Sequence, residues 1–526
     1  MFRSFDSANY SFRKFCRTYP YWLPPAFVAF TLTVLYLNPF IGDWDAIDYT
    51  VYSLRGQPSS MALGRSLFTL SNHLLYRFAH TLFRVPPEHA YLLFKYAVVI
   101  QVPLAVVVCW ILARDLTDSN CSATVAALLV ALSPMLIIYG GQVMTDVPSV
   151  LISAAAVLIY LRGVMRQRPW MMLLGAALLG LGVNFRETAG LYFPLLILLP
   201  FVGGWKQDRR TVAVIAASAM VFVVCAFGIF GYWYMLDPSY RETWQVWRQS
   251  TQSEAARHPV GLANLRTFLI YFFLVAPLMF VALPFAAWKE WRARGWSILM
   301  TSAAVGLFAT VMLLANYSTV VNWRYFLTGL PVLAPLVGHY LVRSETQKLG
   351  NERRAFVVSI AGIVLVAGLT ALLIRPRNSE YMARLALARN YPERLRLLQS
   401  DAVVIAGSET VAVIYWRGIG LGRWETIGVG AGWPQKGLEK AIDDYLKAGR
   451  RVFLDADPRW WQPCAWRATE IHELVASESR FHFHQVAPTL YEIRPRTDSS
   501  ATDSPNLQTL LPQNRPEEVK KCFNSE

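Results

Sequence analysis

Charge is scarce in this sequence. Only 16% of its 526 residues are Asp, Glu, Lys or Arg, where a soluble domain carries about a quarter. With 54% hydrophobic residues and a positive mean hydropathy, the chain falls outside the soluble globular class. Cysteine is scarce too: six residues, none in CxxC spacing, which argues against a zinc knuckle or a disulfide framework. Arg13, Lys14 and Arg17 precede the first apolar segment, but Asp6 lies ahead of them and no A-x-A cleavage site follows, so this segment is read as retained. Nucleotide loops are missing as well. The glycine runs Gly418–Gly422 and Gly428–Gly432 do not clearly join a strand to a helix N-terminus and read as plain loops. No internal repeat is visible.

What is abundant is long apolar runs, such as Leu173–Leu181, Leu191–Val202 and Val212–Phe230. Lipid offers no partner to a bare backbone amide or carbonyl, so runs of this length become helices that cross the bilayer. Spans are expected at about 21–40, 91–113, 122–139, 148–163, 170–183, 189–204, 211–234, 266–287, 297–316, 326–342 and 355–374. The net charge of +15 comes largely from bases at the ends of these runs, as in Arg162–Arg168, Lys206–Arg210 and Lys289–Arg294. That placement is topogenic, and nucleic acid is not expected as a partner. Bases concentrate in the N-terminal segment and in the loops after even-numbered spans, which puts the N-terminus in the cytoplasm and the chain beyond Arg375 on the other side.

The first outer loop is long, and its stretch Gly64–Phe83 places Leu67, Leu70, Leu74, Leu75, Phe78 and Leu82 on one helical face. It reads either as a helix lying in the membrane interface or as one packed on the protein. Beyond Arg375 the pattern turns soluble. Ala402–Ala406 and Arg451–Asp455 read as buried strands around a helical Leu438–Leu446, with Arg480–Val486 and Thr489–Ile493 as a final pair turning at Pro488. The expected architecture is an α-helical polytopic membrane protein of about eleven transmembrane helices, with interfacial helices in the first outer loop and a small C-terminal α/β domain. Its parts would be a membrane domain over 1–374, a soluble non-cytoplasmic domain over 375–495 and a disordered tail over 496–526.

Ionisable residues at membrane depth are costly and are functional candidates by default. Four groups qualify: Asp43, Asp45 and Asp48 in GDWDAIDY; Asp146 in QVMTDVP; Arg186 with Glu187 in NFRETAG; and Arg324 in NWRYF. The expected topology puts all four on the non-cytoplasmic side. Simpler readings stand beside each. Asp146 before Val147–Pro148 could only cap a helix, Arg186 and Glu187 could pair with each other, and Arg324 could snorkel beside Trp323 and Tyr325. The aspartate loop is the hardest to explain by solvation alone.

The order of these motifs resembles the C-type glycosyltransferases that use lipid-linked sugars. The nearest branch is protein O-mannosyltransferase-like, with the lipid A aminoarabinose transferases and galacturonosyltransferases. The likeness in layout covers about residues 20–345. It implies a first-loop aspartate as base, within a D-E-x-x-Y pattern. Asp45-Ala46-Ile47-Asp48-Tyr49 matches the Asp and the Tyr, while Ala46 stands where the family has Glu, leaving Asp48 or Asp43 as the source of a second carboxylate. It further implies Asp146 as a second acid, Arg186 and Arg324 as ligands of the donor phosphate, and Arg65 in GRSLF as a loose match to the start of the interfacial helix. The implied activity is transfer of a sugar from a polyprenyl-phosphate donor to a lipid, glycan or protein acceptor, in a bacterial inner membrane among membrane lipids. No cofactor is required by this reading, although a divalent metal beside the aspartates stays open. A transporter or flippase for a lipid-linked or polar substrate is the alternative, with the same buried charges serving as a path.

Overall fold

The computed structural model describes residues 21–41, 44–257, 261–316, 323–349, 352–374, 378–406, 410–428, 438–457 and 481–495. Asp43 and the expected tail over 496–526 lie outside the described residues. Contacts divide the chain into two units. The first holds Met1–Leu37, Asp48–Val85 and His89–Arg375; the second holds Asn38–Ile47, Pro86–Glu88 and Pro376–Glu526.

The first unit is helical. After α1 (Leu23–Leu35), the helix α2 (Trp44–Arg55) begins at the end of the second unit's first segment and continues into this one. There follow α3 (Ser66–Phe83), α4 (Ala90–Thr117), α5 (Asn120–Ala131), α6 (Pro134–Gly140), α7 (Asp146–Met165), α8 (Pro169–Val183), α9 (Phe193–Val202) and α10 (Arg209–Leu236). Then come α11 (Pro238–Arg257), α12 (Leu262–Val275), α13 (Pro277–Arg294), α14 (Ile298–Asn316), α15 (Phe326–Leu349) and α16 (Glu352–Ile374). Among the described residues, four helical segments are long and apolar enough to cross a membrane: Pro87–Thr117, Asp146–Met165, Arg209–Leu236 and Phe326–Arg343. The apolar pair α5 and α6, bent by 58° at Leu132–Ser133, has the form of a broken span or a re-entrant loop. Shorter apolar helices occupy Leu23–Leu35, Pro169–Val183, Glu187–Val202, Ile298–Met312 and Phe356–Gly368. The expected span at 266–287 is interrupted at Ala276, where Pro277 starts a new helix at the one place in a helix that needs no backbone N–H.

Close helix packing comes from small residues. Gly175 on α8 meets the backbone of α7, since a Cβ there would stand 2.7 Å from the Tyr160 nitrogen. Gly180 meets α10 in the same way, at 2.5 Å from the Phe222 carbonyl oxygen. This is how membrane helices associate when lipid and side chain are equally apolar. The core around these contacts includes Leu161, Met172, Leu179, Leu196 and Leu199, all nearly inaccessible.

Helix α3 packs Phe68, Tyr76 and Ala79 inward against the protein. Its polar Thr69 and Asn72 are buried, while Leu70, Leu74, Phe78 and Leu82 are exposed, the last three by about three-fifths. The helix thus buries one face, apolar and polar residues together, and leaves a row of large apolar side chains exposed on the other.

The second unit contains α17 (Asn378–Arg396), α18 (Thr410–Gly418), α19 (Leu438–Lys447) and a five-stranded sheet. Its strands are β1 (Val403–Ala406), β2 (Glu425–Gly428), β3 (Val452–Asp455), β4 (Phe481–Ala487) and β5 (Leu490–Pro495), in the order β2-β1-β3-β5-β4. β1 runs parallel to β2 and β3; β5 is antiparallel to β3 and β4. The short first segment of this unit is held by rings: Phe40 lies 6.0 Å from Tyr415 and 6.2 Å from Trp416. The Tyr415 hydroxyl donates to the carbonyls of Pro87 and Glu88, each at 3.3 Å. Buried Asp455 takes a two-pronged hydrogen bond from Arg394 of α17, at 2.8 and 2.6 Å, which ties that helix to the sheet.

Candidate active site in the helical unit

Three arginines and two carboxylates from distant stretches meet in the first unit. α7 begins at Asp146, and the preceding Thr145 is the N-cap, making no side-chain cap bond. Asp146 is therefore not the capping residue. Its carboxylate forms an ion pair with Arg186, both side chains being 2% exposed. Pro148, inside the first turn, costs no hydrogen bond. Arg186 follows the end of α8 in extended backbone, with its N–H bonded back to the Gly182 carbonyl at 3.0 Å. The 3₁₀ turn Glu187–Tyr192 then sends the next side chain another way.

Arg186 and Glu187 thus do not satisfy each other alone. Glu187 takes Nε and Nη2 of Arg65 at 3.3 and 3.1 Å, and Arg65 also reaches the Thr145 hydroxyl at 3.5 Å. The Arg65 guanidinium lies 5.4 Å from the Tyr49 ring centre. Arg65 follows two other residues with positive φ, giving Leu63, Gly64 and Arg65 at 50°, 70° and 40°. Such backbone is strained for the two residues with side chains, and strain of this kind gathers at functional sites. Gly64 is the position that requires glycine, because a Cβ there would stand 2.7 Å from the Tyr240 hydroxyl and 2.9 Å from Pro58.

Arg324 is 8% exposed, so it is buried rather than snorkelling. Its guanidinium stands 5.8 Å from the Tyr139 ring and 6.0 Å from Tyr325, and Arg186 stands 5.5 Å from the same Tyr325. Burial alone would push the Arg186 guanidinium down. Asp146 and Glu187 outweigh that, against an opposing push from Arg324, and hold it charged. Beside the ion pair lies a small cavity whose lining combines the polar Asp146, Ser153, Arg186 and Thr188 with the apolar Val150 and Leu327. Asp146 Oδ2, Ser153 Oγ and Thr188 Oγ1 are buried there and accept or donate no hydrogen bond among the described residues.

The aspartates of the first outer loop are placed differently. Asp48 accepts hydrogen bonds from the hydroxyls of Ser59 and Ser60 and from the Ser60 amide at 3.3 Å. Both its oxygens are engaged in fixing the turn that leads to Arg65. Asp45, half-buried in the first turn of α2, belongs to the second unit. Among the described residues no group of three His, Cys, Asp or Glu side chains is placed to hold a metal ion. Lys95 was not among the residues expected from the sequence. It is 1% exposed in α4, with Nζ 5.1 Å from the Tyr91 ring centre. Its signal is a lone lysine in the apolar run AYLLFKYAVV.

Residues 73–233 match the family described as dolichyl-phosphate-mannose-protein mannosyltransferase, a stretch that includes Asp146 and Arg186. ArnT from Cupriavidus metallidurans, solved bound to undecaprenyl phosphate, superimposes with a TM-score of 0.54 over 90% of this chain and 97% of its own, at 12% identity. The chain has the C-type glycosyltransferase fold. The oligosaccharyltransferase of Archaeoglobus fulgidus, solved with zinc and sulfate, gives a TM-score of 0.50 over 88% of this chain and 71% of its own, at 11% identity. No curated protein matches the chain. At such identities the shared property is the helical layout of the C-type enzymes.

Proposed function

We propose that this protein is a multi-pass membrane glycosyltransferase that moves one sugar from a polyprenyl-phosphate donor to a cell-envelope or lumenal acceptor on the non-cytoplasmic side of the membrane. The observation that carries this reading is the buried convergence of Arg65, Arg186 and Arg324, with Arg186 lining a small cavity. A lipid phosphate is an anion such a group of arginines fits, and the planar guanidinium suits its oxygens better than an ammonium does. The match of residues 73–233 and the ArnT-like fold support the same chemistry.

On this reading the acceptor hydroxyl gives its proton to a carboxylate, for which Asp45 is the candidate. The acceptor oxygen bonds to the sugar's anomeric carbon as the bond from that carbon to the phosphate oxygen breaks, and polyprenyl phosphate leaves with the electron pair. The arginines stabilise the charge that grows on the departing phosphate. Asp146 holds Arg186 in place and Glu187 holds Arg65. Asp48 shapes the loop. The apolar face of α3 lies in the lipid interface where the donor head group sits. The protein resides in a bacterial inner membrane with its N-terminus cytoplasmic and its C-terminal unit on the opposite side.

Purified protein reconstituted with a lipid-linked sugar and an envelope extract tests this. A covalent glycosylated product with release of polyprenyl phosphate is the expected result. Movement of the lipid between leaflets with no product would show a carrier instead.

A further inference from the structure

A second concentration of cations lies at the far end of α13, away from the arginine cluster in sequence and in chemistry. Its last turns and the two residues after them read WKEWRARGW, Trp288 to Trp296. Val281, Phe285 and Trp288 are each more than half exposed and recur at the spacing of one helical face, and Arg292 continues that stripe. The Arg292 guanidinium stacks on Trp288 at 4.5 Å, and Lys289 Nζ stands 5.2 Å from the ring of Tyr340 on α15. Trp291 and Trp296 meet edge to face at 5.2 Å, brought together by the turn at Gly295, whose φ of 65° favours glycine. Exposed Arg343 follows Tyr340 by three residues on α15, which puts it on the same helical face one turn on.

The charges do not balance. Glu290, 4% exposed, is the one carboxylate in this group among the described residues. It is already engaged by the Ser297 hydroxyl at 3.1 Å and by Arg294 at 3.6 Å. Lys289, Arg292 and Arg343 are held by aromatic faces or by none, so among the described residues their charge is met by no carboxylate. The His339 ring nitrogens are buried beside them and make no hydrogen bond among the described residues. Cations steadied by aromatic rings, at the foot of an exposed apolar stripe, fit a phosphodiester whose acyl chain runs along that stripe.

We propose that the end of α13, with Arg343 of α15, is a binding site for the head group of an anionic glycerophospholipid. Its phosphate is taken by Lys289, Arg292 and Arg343, and one acyl chain lies along Trp288, Phe285 and Val281. The site is independent of the transferase reading and does not share its residues.

Native mass spectrometry of the full-length protein in mild detergent, titrated with phosphatidylglycerol or phosphatidylcholine, tests the proposal. Phosphatidylglycerol should be retained at least about tenfold more strongly, given about fivefold per base near a charged head group. The variant Lys289→Gln/Arg292→Gln/Arg343→Gln should lose that preference, whereas Arg77→Gln/Arg84→Gln, on exposed bases elsewhere, should keep it. If the triple variant does not fold, Arg292→Gln alone should weaken phosphatidylglycerol retention about threefold or more. Equal retention of the two lipids by the unaltered protein, or a preference surviving the triple change, would overturn the site. So would displacement of the lipid by millimolar inorganic phosphate alone, which would make it a simple anion site.

Discussion

Replacing Asp146 by Asn removes a charge while keeping nearly the same volume. Asp146 and Arg186 are each 2% exposed, so the asparagine leaves the guanidinium without its nearest counter-ion in a site that solvent does not reach. Breaking a buried pair from one side costs about 3–5 kcal/mol, much of it the penalty of the stranded partner. Here the neighbours deepen the loss, since Arg324 shares the Tyr325 ring with Arg186 and repels it. Arg186→Met strands the carboxylate and should cost a similar amount, but Asp146→Asn/Arg186→Met strands nothing. The double variant should therefore be more stable than the sum of the single losses, with a coupling of about 2 kcal/mol or more. Reversible unfolding of the four proteins in one detergent, recorded by far-ultraviolet circular dichroism, measures the cycle. Additive losses would refute the claim that these two charges are mutual counter-ions.

The same geometry sets other outcomes. Asp45→Asn should abolish transfer, by about a hundredfold or more, while insertion and folding persist; near-normal turnover in a reconstituted assay would remove Asp45 from the chemistry. Glu187→Gln loosens the fork that aims Arg65 and should raise the apparent KM for the donor by about tenfold, because a charge-assisted bond contributes about 1.5–3 kcal/mol, with little loss of expression. Gly64→Ala must move Tyr240 and accept φ of 70°, and should cost about 1–3 kcal/mol and lower activity, read by thermal unfolding and turnover together. In the C-terminal unit, burial pushes the Glu492 carboxyl up, but hydrogen bonds from Arg451 and Arg494 outweigh it and hold it low. A depressed carboxyl stabilises the fold above about pH 4.5, and that contribution is lost as pH falls further. Hydrogen exchange in β5, corrected for intrinsic rate, should rise below that pH, and Glu492→Gln should flatten the dependence.

Much of the fold was legible because a membrane imposes one rule on many residues. Apolar runs such as Val212–Phe230 became helices, and the strands at Ala402–Ala406 and Arg451–Asp455 lie where buried aliphatic runs put them. β2 was missed because ETIG carries only one large apolar residue and is paired by its neighbour β1, which is a non-local fact. The sequence placed Asp146, Arg186 and Arg324 on one expected side but not their partners. Adjacent Arg186 and Glu187 suggested a pair, yet the extended backbone at Arg186 and the turn after it send them to Asp146 and Arg65. The hydrogen-bond partners of Asp48 were hidden for the same reason, since Ser59 and Ser60 reach it only once the loop closes.

Sugar transfer by this mechanism needs acidic and basic side chains from separated stretches to work at one outward face of the membrane. Single cysteines at the exposed positions His89, Ser239 and Gln207, in an otherwise cysteine-free protein in intact cells, test this with a membrane-impermeant maleimide. His89 and Ser239 should label from outside and Gln207 only after the membrane is broken. Labelling of His89 and Ser239 from opposite faces would contradict it.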